Sequence, residues 1–203
     1  MNHLSLLLLA LPAMVLAQQA AENTAESRNQ TLKNLLAALQ EETTASYRYE
    51  IFGQQAKREG FDQVSKLFRA ASASKAVQRE NHKTAIRALG GAIPDLKPGT
   101  VVARSTRQNL EQPFGKEKGA AEMIYSRFIR QAEQAGAPAA AESFAFARNA
   151  ETAHEKLFRN ALAQLGTNPP QEYFVNKRTG QTLVLPPGAQ ISSAQKRNFI
   201  EIG

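Results

Sequence analysis

Glu151 and His154 stand three residues apart, the spacing that puts a carboxylate and an imidazole on one helix face, a turn from each other. Together they offer an oxygen and a nitrogen donor, a set suited to a single divalent metal ion. Two further carboxylates keep step with apolar residues, Glu42 with Leu35, Leu39 and Tyr49, and Glu117 with Leu110, Phe114 and Ile124. Both are therefore expected to point at a core, where an unpaired carboxylate is expensive. Helical bundles that hold two metal ions take a Glu from each of two helices and a Glu-x-x-His from each of the other two. Any metal here must rest mainly on oxygen and nitrogen, because the chain has no cysteine. That absence also excludes disulfides, thiolate zinc sites, cysteine-bound iron-sulfur clusters and thiol redox catalysis.

Four helices are needed to bring these side chains together. From about Thr31 to Leu89 apolar residues recur at steps of three and four with no proline, which predicts helices broken at Gly60. The first buries Leu32, Leu35, Leu39, Tyr49 and Phe52; the second buries Val64, Leu67, Phe68, Ala71, Ala85 and Leu89. A turn-rich connection from Gly90 to Gly99 leads to a second pair, which begins near Ser105 as N-cap. That pair breaks at Gly136-Ala137-Pro138 and ends at Leu165-Gly166. Pro113 predicts a kink or a late start in the third helix, since proline removes a backbone donor.

The two pairs repeat one another. Asn34-Leu35 answers Asn109-Leu110 and Glu42 answers Glu117 at 75 residues. Tyr49 answers Tyr125, Phe68 answers Phe144 and Leu89-Gly90 answers Leu165-Gly166 at 76. The second copy has gained a residue between Glu117 and Tyr125, read either as a π-bulge or as an offset in a helix disturbed by Pro113. Shifting Glu151 and His154 back by 76 residues lands on Lys75 and Gln78. Neither is an ordinary metal ligand, and Lys75 brings a positive charge to the place a cation would need. His82, a turn beyond Gln78, reads as a core histidine or a replacement ligand, and Tyr47, Tyr49 and Tyr125 as packing or as neighbours of a metal.

The 203 residues carry a net charge of +7, with Lys and Arg mixed among Asp and Glu, so a solvated surface is expected and no nucleic acid partner. Residues 1–17 look like a secretory signal peptide: an apolar run from Leu4 to Leu16, small residues at its end, and cleavage after Ala17. No later stretch approaches the roughly 20 apolar residues of a membrane span. The mature chain is expected to be exported, periplasmic or secreted. After Gly166 the composition changes, and Glu172 to Val175, Gln181 to Leu185 and Asn198 to Ile202 read as three short strands. The expected fold is all-α, a four-helix bundle of two helix-pair repeats over 28–166, with a small β unit over 167–203 that packs on the bundle or on a second subunit.

The motifs themselves resemble those of rubrerythrins. Asn34 to Glu42, Tyr47-Arg48-Tyr49 and Gln55 to Gly60 are similar to that family's first helix, and Gln63 to Ala71 to the start of its second. Ser105-Thr106, Asn109-Leu110, Tyr125, Phe128-Ile129 and Ala150 to His154 are similar to its third and fourth. The likeness spans about residues 31–166 and implies a ferritin-like bundle, two irons, peroxide reduction and, as is common among such bundles, a homodimer. Carried over, it makes metal ligands of Glu42, Glu117, Glu151 and His154. It places Lys75, Gln78 and Ala120 where further ligands belong, so each of those positions is substituted. The tail resembles a rubredoxin-like domain in Tyr173-Phe174-Val175 and Asn198 to Ile202, with Asn176, Thr179, Ala189 and Ser192 near the sites of its cysteines.

Two classes of function follow. In the first, Lys75 neutralises the inward carboxylates and the bundle is non-catalytic, holding no metal or at most one Fe, Mn or Zn ion. In the second, the chain is a metal-dependent oxidoreductase that reduces peroxide or oxidises ferrous iron.

Overall fold

A computed structural model describes residues 4–112 and 120–203. Helix α1 runs from Leu4 to Arg58, far longer than the apolar pattern from Thr31 suggests. Residues 18–30 hold no Gly or Pro and several Ala, Gln and Glu, so local propensity carries the helix through a stretch with nothing to bury. Packing begins at Thr31, which is fully buried.

Gly60, at φ +82, turns the chain into α2, Asp62–Ala88. The two helices approach closely at Gly53, whose carbonyl accepts from Ser65 Oγ at 2.8 Å and where an added Cβ would lie 3.3 Å from Ser65 O. The connection then runs along α1: Gln40 Nε2 donates to Lys97 O at 3.1 Å, and Gly99 N to Thr44 Oγ1 at 3.1 Å. Ser105 caps α3, Thr106–Glu111, in a reciprocal box with Gln108, as its position suggested. After α4, Ala120–Gln134, Gly136 adopts φ +61 and Pro138 opens α5, Pro138–Ala163. Pro113 lies outside the described residues, as does part of the stretch that contains the extra residue.

Helices α1 and α2 pair, α4 and α5 pair, and α2 crosses α5, giving the bundle of two helix pairs that the repeat implies. Its core is two apolar clusters. One gathers Tyr49, Phe52, Phe68, Leu110 and Phe158; the other gathers Leu35, Leu39, Ile86, Tyr125 and Phe144. Ile124 departs from expectation, since it is 44% exposed whereas Tyr125 is 7% exposed. Adjacent helical residues lie about 100° apart, so the inward position can belong to only one of them.

The C-terminal strands β1 Glu172–Asn176, β2 Thr182–Leu185 and β3 Phe199–Ile202 form an antiparallel sheet in the order β2-β1-β3. Tyr173, Val175 and Ile202 join the first apolar cluster, so the sheet docks on its own bundle. Polar contacts fix the docking: Ser74 Oγ donates to Gly180 O at 2.5 Å, Asn81 Nδ2 to Arg178 O at 2.9 Å, and Gln171 N to Gln63 Oε1 at 3.0 Å. Asn176 Oδ1 shapes the β1-β2 turn by accepting from the N–H groups of Arg178 and Thr179, each at 2.9 Å.

Gly180 ends that turn at φ +69, and a Cβ there would stand 2.3 Å from Gln78 Nε2 and 3.1 Å from Ser74 O. Gly180→Ala should therefore cost about 1–3 kcal/mol by strain and by lifting the turn off α2. Chemical denaturation reads the cost, and limited proteolysis should cut the variant faster within the tail. Unchanged stability and cleavage would mean that the turn does not sit on α2.

Candidate functional site

Between the two apolar clusters each long helix carries a polar group inward. Glu42 on α1 follows Leu39 by three residues and precedes Tyr49 by seven, which keeps it on the buried stripe. Lys75 on α2 follows Ala71 by four, and Glu151 on α5 follows Ala147 by four. Glu42 is completely buried and Lys75 is 2% exposed, whereas the Glu151 side chain keeps 27% exposure.

The Lys75 ammonium joins the carboxylates. Its Nζ lies 3.0 Å from Glu42 Oε2 and 3.3 Å from Glu42 Oε1, the second contact having hydrogen-bond geometry. The same Nζ donates to Glu151 Oε1. Tyr125 adds a fourth group, donating its hydroxyl to Glu42 Oε1 at 2.9 Å.

Burial and pairing act against one another here. Burial raises the Glu42 carboxyl above its ordinary range, and the Lys75 charge only partly offsets this. For Glu151 burial also pushes upward, but Lys75 overrides it and holds that carboxyl below its usual value. Burial works against the Lys75 charge, yet Glu151 and Glu42 together push its pKa above the normal 10.5. The cluster therefore contains a fixed ammonium. Burial raises the Tyr125 hydroxyl well above its usual 10.0, so it stays a donor.

The remaining sequence candidates surround this cluster. His154 is 1% exposed; its Nε2 pairs with Thr182 Oγ1 of the tail at 2.8 Å, and its Nδ1 is buried without a partner. Gln78 is completely buried and donates Nε2 to Thr179 O at 2.7 Å, leaving Oε1 unpartnered. The sheet thus covers the two positions that flank Lys75 and Glu151. His82 is a core histidine, its Nδ1 paired with Ser143 Oγ at 2.7 Å and its ring beside Tyr125 and Phe144. Burial, followed by Lys75, lowers His82 to about 3; burial lowers His154 to about 4, with Glu151 opposing the drop. Both rings are neutral at neutral pH. Their contribution to stability is complete above the ordinary 6.5 and declines as pH falls toward those values.

Tyr49 packs among Phe52, Phe68 and Phe158, and Tyr47 is 44% exposed. Glu117 and the side chain of Ala120 lie outside the described residues, so neither is placed. Among the described residues no three His, Asp or Glu side chains form a group poised to hold a metal. What the placed groups form is an ion-pair cluster under a polar cover. Thr179, Thr182 and Ser143 were not apparent from the sequence as neighbours of these residues. Thr179-Gly180 was legible as a turn, but no periodicity links a tail turn to a helix face.

A family model described as rubrerythrin matches residues 33–162. Rubrerythrin from Nitratidesulfovibrio vulgaris is 34% identical over 133 residues, which are 64% of this chain and 68% of that protein. Among solved structures, nigerythrin in a mixed-valence state superposes with a TM-score of 0.72 at 24% identity, covering 84% of this chain and 86% of that one. Rhodobacter capsulatus bacterioferritin, described with a metal-free dinuclear site and haem iron, gives 0.59 at 20% identity over 66% of this chain and 84% of that one. At these identities the two structures speak for the fold.

Removing the ammonium tests the cluster. Lys75→Met should cost about 3–5 kcal/mol at neutral pH, because it strands buried carboxyl groups. Glu151, with its lowered pKa, contributes stability above 4.5 in the parent, and that contribution is lost as pH falls through its folded value. In the variant, acid instead neutralises the stranded carboxylates, so the gap to the parent should narrow on acidification. Denaturant unfolding across mildly acidic to neutral pH measures this gap. A small gap that does not change with pH would contradict the pairing.

Proposed function

The chain belongs to the rubrerythrin family, and from that premise we propose that it is an exported member whose two-metal centre is depleted. It acts as a ferritin-like structural or binding bundle and takes up at most one metal ion. The observation that carries this reading is the Lys75 ammonium in contact with both Glu42 and Glu151. A divalent pair needs those carboxylates turned toward it, and a fixed ammonium among them repels a second cation in a low-dielectric core. The donor set therefore does not fit a two-metal centre. Gln78 spends its amide on Thr179, and His154 Nε2 is paired with Thr182. A single Fe, Mn or Zn ion on Glu151 and His154, with Glu117 and Glu42, remains within the proposal, since His154 Nδ1 has no partner.

The apolar run from Leu4 to Leu16, closed by small residues, supports export to the periplasm or beyond. Among the described residues no helix is long and apolar enough to cross a membrane. Family membership supports a homodimer, and the scattered charge supports no nucleic acid partner. The alternative, a metal-dependent oxidoreductase acting on peroxide or ferrous iron, is favoured by the match over 33–162.

Metal analysis separates the two. Chain produced with ample iron should hold no more than one metal ion per chain and should not turn over hydrogen peroxide; two irons with turnover would sink the proposal. Lys75→Glu combined with Gln78→His exchanges the ammonium for a carboxylate and the amide for an imidazole. The double variant should bind ferrous iron or zinc at least tenfold more tightly than the parent, about 1.4 kcal/mol or more. Unchanged affinity by calorimetric titration would argue that these positions never faced the site.

A further inference from the structure

Where the chain leaves α5 and crosses to β1, five side-chain amides gather around one cleft of about 150 Å³. Gln63 comes from α2, Asn160 from α5, Gln164 from the cap of that helix, and Asn168 and Gln171 from the crossing itself. Val64 and Leu67, each 1% exposed, and Leu157 supply the apolar lining, and Tyr173 of β1, also buried, completes the wall. Charged residues make up 21% of the chain, yet among the described residues none lines this cleft. Three of the amides are already oriented by the fold. Gln63 Oε1 accepts from Gln171 N at 3.0 Å, Gln171 Oε1 accepts from the Tyr173 hydroxyl at 3.0 Å, and Asn168 Nδ2 donates to Ala161 O at 2.9 Å. Each of these bonds uses one end of a group that has two. Gln63 Nε2 and Gln171 Nε2 are left to donate, and Asn168 Oδ1 to accept.

We propose that this cleft is a binding site for one neutral sugar ring. A pyranose carries hydroxyls around its rim, each able to donate and to accept, and C–H groups on its faces. The two amide donors and the amide acceptor match such hydroxyls, and Asn160 and Gln164 stand exposed at the mouth to meet others. Val64, Leu67 and Leu157 offer the apolar surface that a C–H face covers. The volume sets the size of the occupant, since clefts that take drug-sized molecules run from roughly 300 to 1,000 Å³. An ion is disfavoured, because no charged side chain is there to compensate its lost hydration. Gln63 and Gln171 also join the crossing to α2, so a bound sugar bridges α2, α5 and the start of the sheet. The site is independent of what stands between Glu42 and Glu151, so the failure of either reading leaves the other intact.

The test is calorimetric titration of the full chain with D-glucose, D-galactose and D-mannose. Beside them stand D-glucuronate and D-galacturonate, which put a carboxylate on the same kind of ring, and glycerol, which has hydroxyls without a ring. At least one of the three neutral sugars should bind with a Kd of about 1 mM or tighter, and the uronates and glycerol at least tenfold more weakly. Gln171→Glu keeps an acceptor for Tyr173 but replaces the Nε2 donor with a carboxylate oxygen, and should weaken binding at least tenfold. Asn160→Ala combined with Gln164→Ala changes only exposed positions and should weaken it about threefold. Circular dichroism checks that both variants keep the helical content of the parent. Absence of binding by all three neutral sugars at concentrations well above that Kd overturns the proposal. Equal binding of a uronate or of glycerol overturns the assignment of a neutral ring, and full affinity in both variants overturns this cleft as its place.

Discussion

Two carboxylates from different helices share one buried ammonium, and most of what surrounds them follows from the need to keep that charge balanced. A carboxylate in an apolar core must be paired, protonated or bound to a cation. Glu42, with no exposure, is held by Lys75 and Tyr125, and Glu151 is held by Lys75. Because the three groups come from α1, α2 and α5, their pairing ties the first helix pair to the second. The apolar residues divide around this point into two clusters, one on either side along the bundle. The same positive charge helps keep His82 and His154 neutral. That leaves each ring with an unpartnered nitrogen inside the fold.

The C-terminal sheet completes the arrangement. Its β1-β2 turn lies on α2 through Ser74, Gln78 and Asn81, and Thr182 reaches α5 at His154. The turn holds its shape with Asn176 Oδ1 accepting two N–H groups. These polar contacts, with Tyr173, Val175 and Ile202 in the core, let a three-stranded sheet that would be marginal alone share the stability of the bundle. Gly180 is confined to glycine for two reasons at once, its positive φ and the closeness of Gln78.

Much of this was legible in the sequence because helical periodicity is a local property. Leu35, Leu39, Phe52, Val64, Leu67, Phe68, Phe144 and Phe158 recur at helical steps and are all buried. The repeat paired Lys75 with Glu151 in register, and the two meet across α2 and α5. Ser105, Gly136 and Pro138 marked helix ends by their backbone preferences, and each lies at one. The helical stretch of α1 over residues 18–30 was missed because those residues are almost all exposed and so leave no apolar pattern. Ile124 was misplaced because the phase was carried across an inserted residue. The contacts of Thr179 with Gln78 and of Thr182 with His154 join segments 101 and 28 residues apart. Docking of that kind depends on the fit of whole surfaces, which spacing along a chain does not encode.

The central claim is that the nitrogen of Lys75, and not a pair of metal ions, stands between Glu42 and Glu151. A crystal structure of the protein produced in iron-supplemented medium, with anomalous data collected at the iron edge, tests it most directly. The map should show Lys75 Nζ between the two carboxyl groups and no pair of anomalous peaks in the bundle. Two peaks bridged by carboxylates, with the Lys75 side chain turned away to solvent, would contradict it.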